Sequence, residues 1–310
     1  MREHVLVLRP GAIGDTLVTL PALLALRRRF LAAEIQLAGN PAALPLVEAA
    51  GVVDETVSFD HRSITYLFAG RPSMCWEYLP CDAGAVAWCA DPDGLLRRGL
   101  ERRGARQLVI TPSRPAAGRT VHVARYLVET LAPFGIEVDA TLELPIITPP
   151  PDAATQAHAE LAALGLSGRP FVVVHPGSGS RAKNWPPERY AAIIDTLAQQ
   201  HDLPCLILAG PADDDVLARL TEHTQSSPAV LAGRPLTVVA AVLQQARAFL
   251  GNDSGLAHLA GQLGLPTLAL FGPMDPAIWS PLGPHVQTLR AEPLATLPTE
   301  TVLSALLPLS

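Results

Sequence analysis

Phe249-Leu-Gly-Asn-Asp-Ser-Gly-Leu-Ala-His258 is the stretch whose reading decides the fold. An apolar run stops at Gly251, small and polar residues follow, and an Ala/Leu-rich segment with helical spacing begins. This is a strand, a tight turn and a helix start, with Asp253 and Ser254 in the turn. In an open α/β sheet, ligands gather where strands end and helices begin. The first helical N–H groups lack intrahelical partners and point at whatever anion stands before them. Taken alone, the turn also reads as a helix cap supplied by Asp253 or Ser254.

The same grammar recurs outward from this stretch. In the second half, strand Phe171–His175 leads into loop Pro176–Lys183, and strand Cys205–Ala209 leads into Gly210–Asp213. In the first half, Val5–Leu8 runs into the glycine-bearing loop Arg9-Pro-Gly-Ala-Ile-Gly-Asp15 and a helix over Thr16–Phe30, with Asp15 suited to its N-terminus. Residues 60–83 read as irregular, and a helix is expected over His122–Phe134. Strands alternating with helices predict parallel, doubly wound sheets. Pro145–Pro151 is the clearest linker. The expected organisation is a Rossmann-like domain over 1–150, a second over 151–290, and a helical tail over 291–310 free to pack back on the first. Two such halves about a proline hinge predict a cleft between domains.

Composition narrows the function. At 310 residues the chain exceeds one ordinary core, and its 49% hydrophobic and 17% charged content is globular. A net charge of −6 argues against a broad nucleic-acid surface. Residues 1–150 carry 15 basic against 16 acidic groups, and 151–310 carry 8 against 13, so the N-terminal half better suits an anionic partner. Lys183 is the only lysine beside 22 arginines, which invites a reason for it. No long uncharged apolar run spans a membrane, and no signal-peptide pattern opens the chain. The expected location is the cytoplasm, with Cys75, Cys81, Cys89 and Cys205 reduced. Without a CxxC pair or nearby His cluster, these cysteines give no support for zinc. Gly11 and Gly14 form neither a GxGxxG fingerprint nor a P-loop, which disfavours a nicotinamide dehydrogenase.

The loops of the second half share a chemistry. His175-Pro-Gly-Ser-Gly-Ser180 is small and hydroxyl-rich, so its backbone approaches a diphosphate closely at Gly179 while Ser178 and Ser180 donate hydrogen bonds. Lys183 adds a positive charge within reach. Asp213, at a strand end, is placed to hold ribose hydroxyls. Asp253 and the N–H groups over Ser254, Gly255 and Leu256 complete a pocket for a nucleotide diphosphate. Ordinary turn chemistry explains each loop singly; their concurrence at one sheet edge favours the pocket.

These segments resemble glycosyltransferase family 9, the ADP-heptose:lipopolysaccharide heptosyltransferases and their relatives. Arg9-Pro-Gly-Ala-Ile-Gly-Asp-Thr-Leu-Val-Thr-Leu-Pro21 is similar to the family's opening motif, and His175-Pro-Gly-Ser-Gly-Ser-Arg-Ala-Lys-Asn-Trp-Pro186 to its phosphate loop. Leu231-Ala-Gly-Arg-Pro-Leu236, Gly251–His258 and Phe271-Gly-Pro273 are similar to its donor-site segments. The family's usual Gly-Pro-Thr reads Gly272-Pro-Met274 here. The resemblance implies an α/β GT-B fold, an inverting mechanism, and no cofactor or metal.

The resemblance also implies roles. Asp15 is the base that takes the acceptor's proton, or an N-cap, or both. Lys183, Ser178, Ser180 and the N–H groups near Ser254 stabilise the leaving diphosphate. Asp253 holds sugar hydroxyls or orients Lys183, and Leu236 borders the adenine. His258 is either a helix-face histidine satisfied within the fold or a phosphate or sugar contact. Arg9, Gly14 and Arg125 are the acceptor-side candidates. The implied partners are a nucleotide-diphosphate sugar, ADP-heptose foremost, and a lipid-linked or phosphorylated sugar, with the cytoplasmic face of the inner membrane within reach. A UDP- or GDP-sugar donor and a non-catalytic nucleotide-sugar-binding protein remain as alternatives.

Overall fold

The chain's longest apolar runs become inner strands buried nearly along their whole length rather than on alternate residues, as expected when helices cover both faces of a sheet. In the computed structural model, which describes residues 3–69 and 79–309, β1 (His4–Leu8), β2 (Glu34–Gly39), β3 (Glu55–Ser58), β4 (Gly84–Trp88) and β5 (Leu108–Thr111) form one sheet. Its order is β3-β2-β1-β4-β5 and every pairing is parallel, with Val5 opposite Ile35 on one side and Gly84 on the other. A second sheet joins β6 (Val172–His175), β7 (Cys205–Ala209), β8 (Ala229–Ala232), β9 (Ala248–Asn252), β10 (Thr267–Phe271) and β11 (Val286–Arg290) in the order β11-β10-β9-β6-β7-β8, again all parallel. The order reverses between β1 and β4 and between β6 and β9, and these switch points are where such sheets bind ligands. Backbone contacts divide the chain into Met1–Thr148 and Pro149–Ser310.

Several elements depart from the sequence reading for identifiable reasons. The helix expected over Thr16–Phe30 is two, α1 (Ile13–Leu17) and α2 (Leu20–Arg29). Pro21 has no N–H for the Leu17 carbonyl, so the chain turns at Val18-Thr19 and restarts with the proline in the first turn. The helix expected over His122–Phe134 stops as α6 (Val123–Glu129), and Pro133 falls in a separate 3-10 turn. Between α3 (Leu44–Ala49) and α5 (Leu95–Arg102), the span read as irregular contains α4 (Arg62–Phe68). His61 caps α4 through its ring, and Ile64 and Leu67 enter the first unit's core.

The second unit continues with α7 (Pro151–Ala163), α8 (Pro187–His201), α9 (Asp214–His223), α10 (Leu236–Leu243), α11 (Gly255–Gln262), α12 (Pro276–Trp279) and α13 (Thr299–Leu306). The C-terminal tail is part of this unit: Leu294, Leu297, Val302 and Leu306 share a core with Val172, Trp185, Ile193 and Leu250. Its apolar face is buried on α8 and the second sheet. Cys81 lies in the first core, Cys89 is half-buried just past β4, and Cys205 is buried in the second core. Burial, with Asp91 and Asp195 respectively, pushes the Cys89 thiol up to about 11 and the Cys205 thiol to about 12, so both stay protonated at neutral pH. Cys75 lies outside the described residues.

Candidate functional site

Loops of the second sheet converge at the switch point between β6 and β9. Asn252, the last residue of β9, is fully buried and satisfied on every side. Its Oδ1 accepts the Trp185 N–H at 3.0 Å and the Tyr190 hydroxyl at 2.9 Å, while its Nδ2 donates to the carbonyls of Pro176 at 2.8 Å and Gly177 at 3.4 Å. One amide thereby pins both ends of the 176–185 loop, and these partners fix its orientation. Trp185 is buried at the loop base, with its indole N–H on the Leu297 carbonyl at 3.1 Å.

His175, ending β6, joins the other two loops. Its Nε2 lies 3.2 Å from Asp213 Oδ2 and its Nδ1 lies 3.3 Å from Ser254 Oγ. An ionised Asp213 can only accept, so His175 carries a proton on Nε2 and donates it to the carboxylate, while Nδ1 shares a hydrogen bond with the Ser254 hydroxyl. Ser254 Oγ in turn accepts the Ala257 N–H at 3.4 Å and caps α11. Burial opposes charge on Asp213, yet the His175 hydrogen bond and the Gly210 N–H at 2.6 Å hold its carboxyl below the usual aspartate range. Beside this network, Lys183 Nζ donates to Asp253 Oδ2 at 2.7 Å.

At the first sheet's switch point, the loop after β1 folds on itself. Arg9 is buried and donates from Nε to the Asp15 carbonyl at 2.9 Å and from Nη2 to Asp15 Oδ1 at 2.9 Å. The remaining carboxylate oxygen accepts the Ala12 N–H at 2.9 Å. Ala12 is therefore the N-cap of α1, and Asp15 sits at its third position reaching back to the cap's N–H. This corrects the reading of Asp15 as N-cap.

Residues 96–307 match the family description "Glycosyltransferase family 9 (heptosyltransferase)". The chain belongs to glycosyltransferase family 9. Lipopolysaccharide heptosyltransferase 3 of Escherichia coli is 28% identical over 174 residues, covering 54% of this chain and 50% of that protein. The chain spans about half the length of the curated relatives it matches. The solved family 9 glycosyltransferase of Veillonella parvula superposes with a TM-score of 0.83 at 20% identity, covering 99% of this chain and 97% of that one. The Escherichia coli ADP-heptose heptosyltransferase II gives 0.77 at 20% identity over 100% and 98%. These likenesses, with the two all-parallel sheets, make the fold GT-B.

Within this family 9 chain, the predicted residues do not all meet a ligand-facing edge. Lys183 and Asp253 come together as a pair, Ser254 caps α11, and Gly255 and Leu256 open that helix half-buried. Asp213, expected at ribose hydroxyls, is buried against His175 and Gly210. A Cβ on Gly177 would lie 1.8 Å from Asp213 Oδ1, so the 176–185 loop also packs directly on this carboxylate. Ser178 Oγ lies 2.8 Å from the Ser180 carbonyl and 2.6 Å from Asn184 Oδ1, so its hydroxyl is engaged inside the loop. Gly179 and Ser180 are exposed, and a Cβ on Gly179 would meet nothing within 4 Å.

Leu236 is half-buried at the start of α10, and His258 is buried on α11. Gly14 is half-buried in α1. Arg9, an acceptor-side candidate by resemblance, is turned into its own loop and bonds Asp15. Arg125 donates to the carbonyls of Asp139 at 3.1 Å and Ala140 at 3.2 Å, bracing that segment. Sequence reasoning missed Asn252 and His175 as organisers, though both are polar residues ending otherwise apolar strands, which is a legible signal. Among the described residues, no group of three or more His, Cys, Asp or Glu side chains is arranged to hold a metal ion.

Proposed function

We propose that this chain is an inverting heptosyltransferase that moves a heptose from ADP-heptose to a hydroxyl of a lipopolysaccharide-core acceptor. The observation that carries the reading is the Lys183–Asp253 pair at the switch point of the second sheet, in a chain of family 9. The acceptor oxygen attacks the anomeric carbon opposite the diphosphate, the bond to ADP breaks with its electron pair leaving on the phosphate, and Asp15 takes the hydroxyl proton. Lys183 and the backbone around Gly179–Ser180 and Ser254–Leu256 meet the charge that develops on the leaving diphosphate. Asp253 holds Lys183 in place and stands beside the sugar hydroxyls, Leu236 borders the adenine, and His258 supports α11. Neutralising the diphosphate falls to Lys183 rather than to a divalent cation. The acceptor is a lipid-linked or phosphorylated sugar met at the cytoplasmic face of the inner membrane, and Gly14 lies on the acceptor side.

Support comes from relatives and solved structures whose names carry heptosyltransferase and ADP-heptose. The test is transfer from ADP-heptose to a deacylated lipopolysaccharide core, with thermal unfolding in ADP, UDP and GDP alongside. ADP at 100 times its Kd should stabilise by about 2.7 kcal/mol, and EDTA should leave transfer unchanged. Stabilisation by UDP or GDP but not ADP sinks the donor assignment, and loss of transfer in EDTA sinks the role given to Lys183. The substitution of Met274 for the family's usual threonine favours, as a second reading, the same chemistry on another nucleotide sugar.

A further inference from the structure

A guanidinium removed from water must recover its hydrogen bonds and a counter-charge from the protein. Arg9 is 1% exposed, and it recovers them from one residue gripped at both ends: Nε on the Asp15 carbonyl and Nη2 on the Asp15 carboxylate, each at 2.9 Å. Nη1 lies 3.5 Å from the Pro10 carbonyl. The Asp15 carbonyl is available because α1 ends early: the Thr19 N–H turns to the Thr16 carbonyl at 3.2 Å instead of continuing the helix. Cys89, the other titratable group against Arg9, has its thiol pushed up to about 11 by burial and Asp91, so the carboxylate is the counter-charge.

The rest of the loop is built to hold the same carboxylate. The Ala12 N–H takes its second oxygen at 2.9 Å. Gly11, at φ +132°, leaves the space: a Cβ there would lie 2.6 Å from Asp15 Oδ2. Yet 31% of the Asp15 side chain remains exposed, while Arg9 has no surface to offer a sugar.

We infer that Arg9 is a positioning residue that fixes the rotamer and outward aim of Asp15 and takes no part in binding the acceptor. This rests on the reading of Asp15 as the base. A lysine at this position keeps the charge but lacks the planar fork that grips carbonyl and carboxylate together.

Steady-state transfer, with ADP-heptose and deacylated core acceptor each varied, separates the possibilities for Asp15→Asn, Arg9→Gln, Arg9→Lys and the double variant Arg9→Gln/Asp15→Asn. Asp15→Asn should lower kcat by roughly 10²–10⁴-fold. Arg9→Gln should lower kcat by about 10²-fold through misplacement, and Arg9→Lys by about 10-fold, with both KM values nearly unchanged. The double variant should be no slower than Asp15→Asn, because both changes disable one unit.

A raised acceptor KM at unchanged kcat in Arg9→Gln would make Arg9 an acceptor ligand and overturn the inference, as would additive losses in the double variant. Wild-type kcat in Arg9→Gln with Asp15→Asn inactive sinks the Arg9 inference alone. Full activity in Asp15→Asn sinks the base reading itself. If Arg9→Gln fails to fold by circular dichroism, Arg9→Lys decides: an unchanged kcat overturns the inference.

Discussion

At the first sheet's switch point the cation is inside and the acid outside: the Arg9 side chain is 1% exposed and that of Asp15 31%. At the second the order is inverted, with Asp253 at 7% and Lys183 at 28%. The buried member of each pair is a fixed counter-ion, and the other is the one left open to solvent. Two edges with the same parallel topology therefore offer opposite chemistry, a carboxylate in one and an ammonium in the other. The pairs also differ in reach. Arg9 finds Asp15 six residues away, whereas Lys183 and Asp253 are 70 apart and meet only because β6 and β9 are neighbours. The first pair is a property of a loop and the second a property of an assembled sheet.

Removing the presented ammonium breaks the comparison most severely. On the proposed chemistry, Lys183→Gln should lower transfer by roughly 10²–10³-fold, because the charge on the departing diphosphate would lose its cation. It also strands a buried carboxylate, and stability should fall by roughly 1–3 kcal/mol in urea unfolding. Adding Asp253→Asn should restore much of the stability and none of the transfer. Transfer within a few-fold of wild type in Lys183→Gln would show that the second edge does not work through its presented cation.

The next test concerns how each loop is held. The 9–15 loop is held by a guanidinium on its own residues, while the 176–185 loop is held by the neutral amide of Asn252. Asn252→Ala leaves the Trp185 N–H, the Tyr190 hydroxyl and the Pro176 carbonyl without this partner in a buried site. The expected loss is roughly 2–4 kcal/mol, read from urea unfolding at neutral pH. A loss under 1 kcal/mol would mean that water enters and the loop is held by other contacts.

Much of the architecture was legible in the chain because buried parallel strands leave unbroken apolar runs, and Val5–Leu8, Val172–Val174 and Phe249–Leu250 are such runs. What escaped has physical causes. Val286–Arg290 is an edge strand only half-buried, so Gln287 and Arg290 dilute its pattern. Arg62–Phe68 carries aromatic and β-branched residues with weak helix propensity, and packing of Ile64 and Leu67 decides its form. In the site, the motif residues were visible but not their direction. Sequence places Asp213 and Asp253 alike at strand ends; only the fold turns Asp213 onto His175 and sets Asp253 beside Lys183. Likewise an arginine opening a loop reads as a ligand-binding cation until its burial is known.

Asp213 supplies the smallest and most specific effect, because neither member of its pair is presented to solvent. Its carboxyl is held below the ordinary value of 3.8 against the opposing effect of burial, chiefly by the His175 hydrogen bond and then the Gly210 N–H. A depressed folded value means that the contribution is present above 3.8 and is lost as pH falls through the folded value. Asp213→Asn keeps the shape and an oxygen that can accept one of these bonds, but it removes the charge. At neutral pH the variant should be less stable than wild type by roughly 1 kcal/mol. Below pH 3.8 the gap should narrow, because wild type then begins to lose the same contribution. Urea unfolding of both proteins from pH 7 down to pH 3 checks this, with the difference between them, rather than either curve, as the readout. A gap that stays constant across that range would mean that Asp213 works through shape and hydrogen bonding without its charge. The second edge would then hold one ion pair that acts through its charge, Lys183 with Asp253, supported by neutral groups.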